Sequence, residues 1–146
     1  MKSAQDIARV SNVDRELLEL RIRHISHQCS AGNLDAVAAY FSEDISYQMI
    51  GNWNMFPFPG PVRGKAAARQ ALGGIFTCIE SLGSTIHDII VDCDRVAVRR
   101  TARLRNRGTS RTDDVAVVGF IRFRDGLITD VTELLDSQAV ARLEEG

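Results

Sequence analysis

Gly83 divides this sequence by hydrophobic period. Before it, apolar residues recur mainly at helical spacing; after it they alternate, nearly to the C-terminus. "STIHDIIVDCD", "RVAVRRTARLRNRG", "RTDDVAVVGFIRFRDG" and "LITDVTELLD" read as four strands separated by turn signals, with "RDG" at 124–126 as a hairpin turn. Sequential strands joined by short turns form an antiparallel meander. A chain that places its helices before such a meander is α+β, not a parallel βαβ repeat.

The first part supplies the helices. "DRELLELRIRHISHQCS" puts Leu18, Ile22, Ile25 and Cys29 on one stripe, and Gly32 ends that helix. Asn33 then caps a short helix in "NLDAVAAYF". "DISYQMIG" reads as a strand with Ile45, Tyr47 and Met49 on one face. "KAAARQALGGIFTCIESLG" is expected to be a third helix, through Ile79 and Leu82. Its Gly73-Gly74 pair costs about 1 kcal/mol per glycine relative to alanine, which points to close packing against a sheet. "SQAVARLEEG" closes the chain with a short helix. The expected architecture is a curved antiparallel sheet packed on three helices, enclosing an apolar pocket. Residues 1–12 form a loose lead-in and residues 13–143 a single domain.

Composition narrows the function classes. With 146 residues, the chain can bury a proper core. A net charge of −1 provides no global field for nucleic acid or anionic membrane. No window approaches a membrane span, and "MKSAQDIARVSNVD" lacks the apolar core of a signal peptide. Cys29, Cys78 and Cys93 show no CxxC spacing and sit in apolar segments, which suits buried, reduced thiols in the cytoplasm. No metal site, P-loop or dinucleotide motif is present in the sequence.

Two charges break the pattern. Alternation puts Arg100 on an otherwise apolar face with Val96, Val98, Ala102 and Leu104, and Glu133 on another with Leu127, Thr129, Val131 and Leu135. In a meander both faces turn inward, so Arg100 and Glu133 are expected to pair inside. A buried charge left alone costs roughly 3–5 kcal/mol. Two readings stand: a structural salt bridge, or the polar floor of a pocket in which Glu133, held ionised, is acceptor or base. Tyr47 could supply a donor there, or be a satisfied core aromatic. The loop "NWNMFPFPGPVRG" carries Trp53, Phe56 and Phe58, as a lid over an apolar ligand or a plug over the core. Met49 and His24 complete the expected ligand contacts. His87 shares a face with Ile89 and Val91 and is a boundary residue or a pocket residue.

These segments resemble the nuclear-transport-factor-2-like superfamily of cone-shaped domains, and within it the SnoaL-like group of polyketide cyclases, ketosteroid isomerases and limonene epoxide hydrolases. The resemblance is carried by "AGNLDAVAAYFSEDISY", "VRGKAAARQAL", "DRVAVRRTARLR" and "GFIRFRDGLITDVTELLD". It implies a homodimer through the outer sheet face, no cofactor, and acid/base chemistry on a small apolar molecule, with Glu133, Arg100 and Tyr47 as the catalytic set. It also implies departures. Ile25, Met49 and Gly119 stand where ketosteroid isomerases carry a tyrosine, the general base and a protonated acid. Against the epoxide hydrolases, Tyr47, Arg100 and Glu133 match, while Ala102 replaces the second carboxylate and Met49 falls near the asparagine. A ligand-binding or interaction module without catalysis is the alternative function.

Overall fold

The computed structural model of the chain describes residues 1, 3–51 and 60–145, with side chains described outside 4–13. The element order is α1 (Ala4–Ser30), α2 (Leu34–Ala38), β1 (Phe41–Ile50), β2 (Val62–Arg63), α3 (Lys65–Cys78), β3 (Ile79–Asp92), β4 (Arg95–Asn106), β5 (Thr112–Arg124), β6 (Leu127–Leu135) and α4 (Ser137–Glu144). One curved, unclosed sheet has the strand order β2-β1-β6-β5-β4-β3. Helix α1 packs on β3, α3 on β1 and α4 on β5.

The meander β3–β6 is antiparallel throughout. The sheet as a whole is mixed, however, because β1 joins β6 in parallel. A tight turn forces antiparallel pairing on consecutive strands, but β1 and β6 are separated by most of the domain and no turn fixes their sense. Asp125 and Gly126 both have positive φ in the β5–β6 turn, as a two-residue primed hairpin needs.

Helix α1 starts at Ala4, inside the segment expected as a lead-in. Neither glycine nor proline occurs before Gly32, so nothing in the backbone stops the helix earlier. At the other end Gly32, at φ 71°, lets the Asn33 N–H donate back to the Gln28 carbonyl at 2.9 Å. The Asn33 Oδ1 then accepts from the Ala36 N–H at 3.2 Å and starts α2. Helix α4 is capped the same way by Asp136 and buries Ala139, Val140 and Leu143.

Helix α3 ends at Cys78, short of the expected Leu82. Ile79 is extended and opens β3, which pairs with β4 from Ile79 opposite Asn106 to Asp92 opposite Arg95. Cross-strand pairing with a long partner outweighs the local helical spacing of Ile79 and Leu82. The two glycines also differ from expectation. A Cβ on Gly73 would lie 3.1 Å from Leu34 of α2, so the close neighbour is a helix, while Gly74 faces open space.

The core lies between helices and sheet, around Ile45, Val96, Val115 and Leu143. Inner-face residues of β4 pair in register with those of β5: Val98 with Gly119, Arg100 with Val117, Ala102 with Val115. On β5 and β6 the register shifts at Arg122/Phe123. That shift buries Ile128 and leaves Leu127 partly exposed, against the simple alternation expected there.

Candidate active site

Arg100 and Glu133 meet on the inner face of the sheet. Arg100 Nη2 donates to Glu133 Oε2 at 3.1 Å, and Arg100 Nη1 donates to Ser84 Oγ at 3.1 Å. The side chains are 27% and 17% exposed, which places them beside a cavity instead of within packed core. Strand β5 runs between β4 and β6, so the Arg100 side chain must cross it. Gly119, directly opposite Glu133, carries no side chain on that face. A Cβ at 119 would sit 3.8 Å from Glu133 Cγ, an ordinary contact.

The cavity above this pair has a volume of about 320 Å³. Tyr47 and Met49 reach it from β1, Cys29 from the last turn of α1, and Phe76 from α3. Tyr47 is in the core and lines the cavity, and its hydroxyl is buried with no hydrogen-bond partner among the described residues. A buried unpaired hydroxyl costs about 1–3 kcal/mol. Burial holds the phenol well above its ordinary pKa, and the neighbouring Glu133 carboxylate adds to the rise. The Cys29 thiol is pushed up to about 11, first by burial and then by Glu133, with Arg100 offsetting part of the effect. Tyr47 and Cys29 are therefore both protonated, neutral groups near pH 7.

Four expected site residues thus line one cavity: Glu133, Arg100, Tyr47 and Met49. His24 does not. It is exposed on α1, with Nδ1 2.7 Å from the Tyr40 hydroxyl and Nε2 3.2 Å from Gln28 Nε2. Proximity to the apolar stripe of α1 misplaced it, because a helix turns by about 100° per residue. His87 is also outside, bonded to Thr101 Oγ1 at 2.8 Å on the exposed face. A register shift between Ile86 and Asp88 reverses the parity of β3 at that point. Trp53, Phe56 and Phe58 lie outside the described residues.

Sequence reasoning missed two site groups. Ser84 gains its place from a second register shift between Ser81 and Ser84, next to Gly83 at φ 126°. Cys29 was visible on the α1 stripe but carried no chemical signal of its own. The other thiols depart from the buried expectation: Cys78 and Cys93 are exposed. Cys78 is the last residue of α3, and Cys93 takes φ 54° in the β3–β4 turn, so both are placed by chain reversals and not by the apolar segments beside them. Among the described residues, no cluster of three His, Cys, Asp or Glu side chains could hold a metal ion. No described helix is long and apolar enough to cross a membrane.

The family model for SnoaL-like domains matches residues 22–131. No curated protein matches the chain by sequence. Among solved structures, a candidate isomerase from Rhodopseudomonas palustris is 22% identical with a TM-score of 0.76, covering 87% of this chain and 94% of that one. A nuclear-transport-factor-2-like protein from Burkholderia xenovorans is 25% identical with a TM-score of 0.69, covering 89% and 96%. An LEH-like epoxide hydrolase from M. tuberculosis is 20% identical with a TM-score of 0.66, covering 83% and 84%.

Proposed function

Because the chain belongs to the SnoaL-like family, we propose that its cavity takes a small, largely apolar molecule and performs acid/base chemistry on it without a metal or organic cofactor. The observation that carries this reading is the Arg100–Glu133 pair at 3.1 Å, set at the wall of a cavity that Tyr47 also lines. Glu133 is the base, accepting a proton from carbon or from a water molecule. Arg100 orients that carboxylate, and Tyr47 donates a hydrogen bond where negative charge develops on an oxygen. Isomerisation, cyclisation, dehydration and water addition all share that step. The presence of a candidate isomerase and an LEH-like epoxide hydrolase among the structural neighbours supports the class.

The test is turnover in a panel of cyclic ketones, epoxides and terpenoid alcohols. Glu133→Gln is expected to lower turnover by about a hundredfold or more and to leave ligand affinity nearly unchanged. Full turnover by that variant would remove Glu133 from the mechanism.

A second reading, ligand binding without catalysis, is favoured by the absence of a second free carboxylate. Among the described lining residues the other acid is Glu80, which Arg105 holds through Nε at 3.0 Å. Tight binding with no product across the panel would support it.

We also propose a homodimer built on the outer sheet face. Ile90, Ala97, Phe120 and Thr132 lie in one register row there, and Ile90 and Phe120 are exposed. Light scattering should give twice the chain mass; a monomer mass at every concentration would refute the dimer. A cytoplasmic setting fits the exposed free thiols of Cys78 and Cys93.

A further inference from the structure

We infer that the molecule taken by the cavity is an organic acid, with its apolar body inside and one carboxylate held at the rim by Arg107. The inference rests on the ligand-pocket reading above. It adds the charge class of the ligand and a contact residue away from the floor.

The rim is where the lining charges fail to cancel. Along β4 most arginines have an acid of their own: Arg99 has Asp88, Arg100 has Glu133 and Arg103 has Asp114. Arg105 takes Glu80, donating to its Oε2 through Nε at 3.0 Å and also through Nη2. Arg107 follows, and the acid nearest its guanidinium is that same Glu80, 3.8 Å from Nη1 and beyond hydrogen-bond reach. Two guanidiniums thus share one carboxylate. Among the described residues that leaves one positive charge uncompensated, and Arg107 is the partner that lines the cavity.

Arg107 is also held in position to meet a ligand. Its backbone N–H donates to the Cys78 carbonyl at 2.9 Å and its Nε to the Phe76 carbonyl at 3.1 Å, so the last turn of α3 fixes the stem. That arrangement leaves both Nη groups without a hydrogen-bond partner among the described residues. Free terminal nitrogens present the fork that matches a carboxylate. The Arg107 side chain is 49% exposed, so the fork lies at the solvent end of the cavity, whose wall includes the apolar Phe76 and Leu104. The floor is the poorer anion site. Arg100 keeps free N–H donors there, but the Glu133 carboxylate beside it opposes any second negative charge. One uncompensated cation matches a carboxylate, whereas a phosphate dianion would be only half matched.

The experiment compares two probes of one shape, β-naphthylacetate and its neutral carboxamide, with binding to the full chain read from backbone chemical shifts. In low salt the acid is expected to bind about fivefold more tightly than the carboxamide, the upper end of what a half-exposed ion pair gives. That advantage should shrink in high salt. Arg107→Gln should erase it, and continued binding of the carboxamide shows that the variant is folded. Glu80→Gln should act in the opposite direction and raise the advantage by a further factor of about two, because Arg105 and Arg107 then face the ligand without a competing carboxylate. This gain can be read even if the Arg107 variant fails to fold. Equal binding of acid and carboxamide by the parent would overturn the acid selection. An advantage that survives Arg107→Gln would put the anion elsewhere and overturn the rim contact; in both cases the pocket reading survives. If neither probe binds, the pocket reading falls and takes this inference with it.

Discussion

Strand β4 carries the same chemistry on both its faces and puts it in two different solvents. On the outer face Arg99 pairs with Asp88 at 2.6 Å and Arg103 with Asp114 at 3.2 Å, and those acids are 52% and 58% exposed. On the inner face Arg100 pairs with Glu133, which is 17% exposed and shares its surroundings with Tyr47 and Cys29. An outer pair exchanges water for a partner at nearly equal free energy, so it adds little. The inner pair has given up most of its water, and each member depends on the other. One strand shows that an ion pair's role is decided by which way its residues point, not by their identity.

The sharpest test of that comparison uses thiols. Cys78 and Cys93 are exposed while Cys29 sits at the inner patch with a pKa of about 11. At pH 8 an alkylating reagent should label the exposed pair first, with Cys29 slower by roughly two orders of magnitude because burial keeps its thiol protonated. Mass spectrometry of peptides after timed alkylation reads this directly. The labelling rate of Cys29 should keep rising as pH climbs toward 11. Stability has the opposite sign: above the ordinary thiol value the unfolded chain ionises while the folded one stays protonated, so this contribution falls as pH rises. Equal labelling of all three would place Cys29 in water.

A smaller effect is expected from breaking the inner pair. Arg100→Leu alone should cost about 2–3 kcal/mol, the lower end for a stranded buried charge because the cavity admits some water. The double variant Arg100→Leu with Glu133→Leu should recover most of it. Urea unfolding of the three proteins decides the matter; a single variant as stable as the parent would mean the pair is effectively a surface pair.

The smallest effect belongs outside. Asp88→Asn and Asp114→Asn should each change stability by at most about 0.5 kcal/mol, and less in high salt. A loss matching that of Arg100→Leu would erase the distinction between the faces.

Much of this was readable because alternation is a strong constraint. Arg100 and Glu133 could be placed inside from parity alone, since a strand that buries Val98 and Ala102 has to bury what lies between them on that face. Parity fails where an extra residue enters the ladder, and the two shifts in β3 put Ser84 in the site and His87 outside it. The parallel pairing of β1 with β6 has no local signal, because no turn connects them. Helical phase placed Ile22 in the core, but misjudged His24 at the edge of the stripe. The raised pKa of Cys29 comes first from burial in the folded chain and then from Glu133, a residue far along the sequence, so no reading of its own segment could supply it.

Gly119 keeps the floor beside Glu133 clear, and the same vacancy decides how many carboxyls that floor can hold. The position faces Glu133 directly, and a first side-chain carbon there fits at 3.8 Å from its Cγ. An aspartate at 119 would therefore set a second carboxyl against Glu133, and two carboxyls so close share a proton instead of both ionising. One substitution, on a backbone paired with Val98 on one side and Glu133 on the other, separates a floor with one carboxyl from a floor with two.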